Sequence, residues 1–218
     1  ARLEAAVKHW VSVFSDEKSF APYAEVLSDP DLYHALVVQE IIPPRLPVHG
    51  KRVALSEFAR FRLLDLLTQY RDPLKTPAIN DAVASFGIGQ TTLDTNDVLR
   101  RTALGKKAQL PPFDECVSFE CQVARDMVNS ARNWALFDRA VLARNKHLSR
   151  LFRSASHEER VRFASAILGA QHNGGPGVVL RVARRIDTKI HGVKNLEPAG
   201  VVLVDMIRKS ARRYGRHV

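Results

Sequence analysis

From Phe113 to Phe152 the chain reads FDECVSFECQ VARDMVNSAR NWALFDRAVL ARNKHLSRLF, 40 residues with neither glycine nor proline. The two residues that most disfavour helix interiors are therefore missing throughout. Trp134, Phe137 and Val141 recur at three- and four-residue spacing, which puts them on one helical face as a core stripe. Arg132, Asp138 and Arg139 then fall toward the surface, where an Asp–Arg pair can form. Forty residues would be long for a single helix in a globular domain. The spacing predicts one long central helix, or a helix broken near Asn145.

Working outward, helix signals dominate both flanks. Leu3, Ala6, Val7, Trp10, Val11 and Phe14 form one apolar stripe. Ser28-Asp29-Pro30 offers a cap followed by proline at the first helical position. Pro43, Pro44, Pro47 and Gly50 interrupt the pattern, so Ile41–Lys51 reads as an extended connector. A helix is expected from about Val53 to Tyr70, and another from Thr76-Pro77 to a stop at Gly87. Thr95 or Asn96 is expected to cap a short helix ending at Gly105. Ser156 and Glu159 have the spacing of a capping box, with Val161, Ala164, Ile167 and Leu168 behind it. His172–Gly177 reads as a loop, and Val178–Ile190 as one helix through Val179, Val182, Ala183 and Ile186. A last helix starts after Asn195 and buries a face including Val202, Leu203, Met206 and Ile207. No fixed repeat is visible, which argues against a solenoid. The fold class is all-α, an irregular multi-helix bundle of roughly eight to ten helices with one long central helix. The domain reading is N-terminal helices over 1–40 and a main helical domain over 52–218 whose basic part is 139–218, or one domain over 1–218.

The chain has 218 residues, 45% of them hydrophobic, enough to bury a core. No apolar run approaches the roughly 18 residues of a membrane span, and no signal-peptide pattern opens the chain, so the expectation is a soluble protein without a membrane partner, or the mature form of one whose targeting segment is absent. Cys116 and Cys121, if helical, stand about 140° apart around the axis and face different ways. They read as unpaired, buried small hydrophobes. An intracellular, reducing compartment (cytoplasm or organelle matrix) follows from that reading.

Charge is distributed unevenly. Residues 1–138 hold 16 Lys+Arg against 18 Asp+Glu, a net of −2, and residues 139–218 hold 17 against 5, a net of +12; together they give the chain's +10. In the second segment Arg outnumbers Lys by 13 to 4. Arginine makes forked contacts to phosphate that lysine cannot. The candidate nucleic-acid contacts fall in three groups: Arg150 and Arg153, with Arg139, Arg144 and Lys146 just before them; then Arg181, Arg184, Arg185 and Lys189; then Arg208, Lys209, Arg212, Arg213 and Arg216. Asn173, Gly174, Gly175 and Gly177 form a weaker candidate phosphate loop ahead of Arg181. It matches neither the Walker nor the Rossmann pattern.

A helix-turn-helix reader is disfavoured, because the joint between the Ser156–Ala170 and Val178–Ile190 helices reads as too long. Tyr214 is the only aromatic residue in the last fifty, so there is no ladder for stacking bases. Backbone recognition is expected, with RNA favoured over DNA. The eight histidines lack metal-helix spacing, and no nucleophile elbow, HExxH or paired-acid motif is present. No enzyme, cofactor or metal is expected. The sequence points to an RNA-binding structural subunit of a ribonucleoprotein assembly, ribosome-like or nucleocapsid-like, with other protein subunits as partners. The alternative is a protein–protein scaffold whose basic face docks on an acidic partner; a small helical enzyme using one of the histidines ranks below both.

Overall fold

The computed structural model describes residues 2–33, 46–48, 51–53, 85–86, 91–116, 118–174 and 176–212. The fold is all-α, with two minimal antiparallel ladders beside the helices. These are β1 (Leu46–Val48) with β2 (Lys51–Val53), and β3 (Ser85–Phe86) with β4 (Thr91–Thr92). The first ladder is the described part of the expected connector. Val53, where a helix up to Tyr70 is expected to begin, instead ends β2, and Ser85–Phe86, within the expected Thr76–Gly87 helix, form β3; the rest of both expected helices lies outside the described residues.

The chain divides into two compact units, Ala1–Ala21 with Tyr33–Asn129, and Pro22–Leu32 with Ser130–Val218. In the first unit, α1 (Arg2–Phe14) buries Ala6, Val7 and Phe14 from its predicted stripe. Phe14 packs against Phe20 and stacks on Trp10, whose indole N–H donates to the Glu120 carbonyl at 3.0 Å. α3 (Leu93–Arg101) and α4 (Ala103–Lys107) meet at a sharp corner. The expected cap at Thr95 or Asn96 is wrong: both lie inside α3, and Asn96 is buried with its amide donating to the Pro111 carbonyl. The cap is Thr102, whose hydroxyl oxygen accepts from the Gly105 amide at 3.0 Å. Gly105 is therefore in the first turn of α4 rather than at a helix stop. A Cβ there would lie 1.9 Å from the Leu99 carbonyl oxygen, so only glycine permits the corner. α4 ends in a Schellman motif. Leu110 N–H donates to Gly105 O and Gln109 N–H to Lys106 O, with Gln109 left-handed at φ 51.

The central helix starts later than expected. A short 3₁₀ turn occupies Phe113–Glu115, and α5 runs from Phe119 to Phe137. Ser118 caps it, its hydroxyl accepting from the Cys121 amide at 3.1 Å. Cys116 consequently lies outside the helix, and the angular argument that separated the cysteines does not apply. They form a disulfide with a Cα–Cα distance of 5.5 Å. The reading of two free cysteines is corrected accordingly, and the reducing compartment loses the observation it was inferred from.

α5 gives its residues from Ser130 onward to the second unit, and continues there into a π-helical turn over Asp138–Leu142. The Ala143 N–H reaches back five residues to Asp138 O. Helix α6 (Lys146–Ser154) begins at the anticipated break, with the Asn145 side chain accepting from the Leu148 amide at 2.7 Å. Asp138 accepts a hydrogen bond from Tyr23 Oη at 3.2 Å, and burial raises the Tyr23 pKa, with the carboxylate adding to it.

The capping box is present at the start of α7 (His157–Gly174). Glu159 Oε2 accepts from both the amide and the hydroxyl of Ser156 at 2.8 Å, and the Glu159 amide returns a bond to Ser156 Oγ. α2 (Ala24–Leu27) packs on α7. Asp29 Oδ1 accepts from the Asp31 amide at the predicted Asp–Pro start, and its Oδ2 is 2.9 Å from His157 Nε2.

Two further expectations fail here. His172–Gly177 is not a loop, because α7 continues through Gly174 and α8 (Pro176–Ala183) begins two residues later. Tertiary burial of Ala170, Gln171, Val178 and Val179 on either side outweighs the roughly 1 kcal/mol helix cost of a glycine. Val178–Ile190 is not one helix either: it breaks at Arg184-Arg185 before α9 (Ile186–Ile190), which lets both Val182 and Ile186 be buried. Finally α10 (Leu196–Arg212) lies along α7 and also touches α6, α8 and α9. Leu203 and Ile207 anchor its predicted face, and Gly200 brings it close to Phe163. Trp134, Phe137, Phe152 and Phe163 form the aromatic centre of this unit, with ring centroids 5.4 to 6.4 Å apart.

Candidate functional site

The sequence KHLSRLFRS of α6 sorts its residues by chemistry. At 100° per residue, Lys146, Ser149, Arg150 and Arg153 fall within about 100° of arc, while Leu148, Leu151 and Phe152 occupy the opposite side. Leu148 is fully buried, and Phe152 reaches the Trp134 ring. Anchoring the apolar side in the core leaves the basic stripe outward. Together with Ala143 and Ser154 it lines a concavity of about 520 Å³. Three cations are spread over about 10 Å of helix axis, and all three are exposed. Among the described residues no carboxylate pairs with Lys146, Arg150 or Arg153. Among the described residues the concavity therefore holds positive charge without a carboxylate partner, with the Ser149 hydroxyl beside it.

The other predicted contacts divide by what already holds them. Arg181 is half-buried, and its Nε donates to Ser210 Oγ at 3.1 Å, tying α8 to α10. Lys209 pairs with Asp205 at 2.7 Å one turn away. Arg184 and Arg185 are exposed in the break before α9, Lys189 is exposed on α9, and Arg208 is exposed on α10. The side chain of Arg212, and Arg213 and Arg216 entirely, lie outside the described residues. Arg160, by contrast, is a structural cation: it ion-pairs with Glu25 and donates to the Ala155 carbonyl at 2.9 Å. Arg162 pairs with Glu158 at 3.2 Å.

The weak phosphate loop does not form as drawn. Asn173 and Gly174 close α7, and Gly177 is the second residue of α8. The amides of Asn173 and Gly174 are committed to carbonyls one turn back, so they are not part of an open nest, whereas Gly177 lies in the first turn of α8, where amides have no intrahelical partner. Gly175 lies outside the described residues. The joint between α7 and α8 is also shorter than expected. It departs from the three- or four-residue turn of a helix-turn-helix on the short side rather than the long one.

No family model, curated protein or solved structure matches this chain. Among the described residues, no three of His, Cys, Asp and Glu converge as a metal cluster, and no helix is long and apolar enough to cross a membrane.

The sequence groups Lys146 with Arg150 and Arg153 but does not show that the three line one groove. The i, i+4, i+7 spacing of the three was the available signal. Sequence reasoning missed His147 altogether. The ring sits beside the groove with Nε2 2.6 Å from the Val193 carbonyl and Nδ1 3.1 Å from Arg150 Nη2. Nothing local marks it, since Val193 is 46 residues away.

Proposed function

We propose that this protein binds the phosphate backbone of nucleic acid, RNA in preference to DNA, through the unit formed by Pro22–Leu32 and Ser130–Val218. The observation that carries the reading is the α6 groove, where Lys146, Arg150 and Arg153 line one concavity without a carboxylate partner among the described residues. A cluster of this kind repels itself until an anion lies in it. Exposed Arg184, Arg185, Lys189 and Arg208 supply further positive charge in the same unit. The preference for RNA rests on the α7–α8 joint, which lacks the helix-turn-helix spacing that would place α8 in a major groove. We assign the protein a binding role as a structural subunit of a ribonucleoprotein assembly, not a catalytic one. Acting on RNA would also place it inside a cell, where thiol buffers would reach the Cys116–Cys121 disulfide.

The test is binding of the full chain to labelled structured RNA, single-stranded RNA and duplex DNA across a salt series. The reading expects RNA to bind more tightly than duplex DNA at matched salt, with affinity falling steeply as salt rises. Equal, negligible binding to all three at physiological salt would refute it and transfer the basic face to an acidic protein partner.

A further inference from the structure

His147 converts part of the α6 groove from a charged surface into a built site. A carbonyl oxygen only accepts, so the imidazole nitrogen facing Val193 O, Nε2, must carry the ring proton. A guanidinium only donates, so Nδ1 must accept from Arg150 Nη2. The two contacts together fix one tautomer, and each explains the other. The Val193 carbonyl is itself held in place. Gly192, at φ 85, takes the left-handed turn that follows α9, and the Val193 amide donates back to Ile190 O at 3.1 Å. The relay thus runs from a fixed backbone carbonyl through His147 to the central cation of the groove. It engages one of the five guanidinium N–H donors and leaves four for an anion. Lys146 and Arg153 flank Arg150 one helical turn away on either side, and Ser149 adds a hydroxyl to the same lining.

We infer that the α6 groove is a discrete phosphate-binding site in which Arg150 makes the forked contact and His147 is its positioning residue. The inference rests on the nucleic-acid reading for the owner of the phosphate, a nucleotide chain, though the phosphate chemistry can be read separately. A tethered guanidinium loses less freedom when it captures an anion than a free one does, and that ordering cost is what His147 removes.

The experiment uses the full chain with two probes, inorganic pyrophosphate followed by NMR and a labelled single-stranded RNA followed by fluorescence anisotropy. The variants are Arg150→Gln, His147→Leu, His147→Gln and the double variant His147→Leu/Arg150→Gln. Pyrophosphate should shift the Arg150 Nε–H and His147 ring resonances saturably in the unsubstituted protein, and the His147 shift should vanish in Arg150→Gln. His147→Leu should weaken RNA binding about threefold, but leave it unchanged when Arg150 is already Gln. His147→Gln, whose amide can donate to Val193 and accept from Arg150, should retain binding. An equal loss on adding His147→Leu in both backgrounds would overturn the positioning role, because a merely structural histidine acts without regard to Arg150. RNA binding without a saturable pyrophosphate response would overturn the site. A saturable pyrophosphate response without RNA binding would support the site and refute the nucleic-acid reading instead.

Discussion

Replacing Lys146, Arg150 and Arg153 together by Gln removes the three cations that line the α6 groove without changing its apolar anchor. All three side chains are exposed, so stability should move by no more than about 0.5 kcal/mol per substitution. The effect on binding follows from counterion release. Each phosphate neutralised contributes a slope of about −0.7 to log K against log salt for a single strand, and about −0.9 for B-form duplex. Losing up to three contacts should therefore flatten the slope by about 2 units for single-stranded RNA. Between 50 and 200 mM salt the unsubstituted protein should lose about 20-fold more affinity than the variant, and about 40-fold more on a duplex. The assay is fluorescence anisotropy at four or more salt concentrations, with thermal melts as the folding control. Arg162→Gln serves as a comparison, since Arg162 already pairs with Glu158 and should barely change the slope. The reasoning fails if the triple variant binds more weakly with an unchanged slope. Parallel lines would mean that the three side chains release no counterions and do not touch phosphate.

Other outcomes follow from the same structure. Reducing Cys116–Cys121 opens a loop closed over a separation of five residues, which in the chain-entropy account costs about 2 kcal/mol; urea melts with and without reductant should differ by that amount, and coincident curves with both thiols titrated as free would contradict it. Gln109→Gly should stabilise by about 1 kcal/mol by relieving a left-handed non-glycine residue, whereas Gly105→Ala should destabilise strongly because its Cβ meets the Leu99 carbonyl; paired denaturant titrations give both signs. Glu159 has its pKa lowered from the ordinary 4.5 by hydrogen bonds from Ser156. Its contribution is present above pH 4.5 and lost as pH falls through the lowered value, so Glu159→Gln should show a shallower acid-side loss of Tm, and identical acid slopes would refute the capping assignment.

How much of this was legible in the sequence depended on the range of the forces involved. The stripe of α1, the Asp29-Pro30 start, the break at Asn145 and the Ser156–Glu159 box were readable because each is closed by partners within about one helical turn. The all-α class followed from the same periodicity, and the −2/+12 division of charge needed no structure at all. One local signal was misread: Ser118, not Phe113, begins the central helix, and that displacement brings Cys116 to Cys121. Long-range packing decided the rest. Helix α7 runs through Gly174 because burial on both sides outweighs a local propensity of about 1 kcal/mol. The basic residues looked interchangeable in sequence, yet Arg160 faces Glu25, Arg181 faces Ser210 and Lys209 faces Asp205, while Lys146, Arg150 and Arg153 share a groove with no carboxylate partner among the described residues. His147 meets Val193 only because α6 and the turn after α9 are brought together by packing on α10. Sequence by itself determined the all-α class and where the positive charge is concentrated, because both are written in residue type and local spacing. Tertiary structure decided which charges remain available, because pairing depends on distances between residues far apart along the chain.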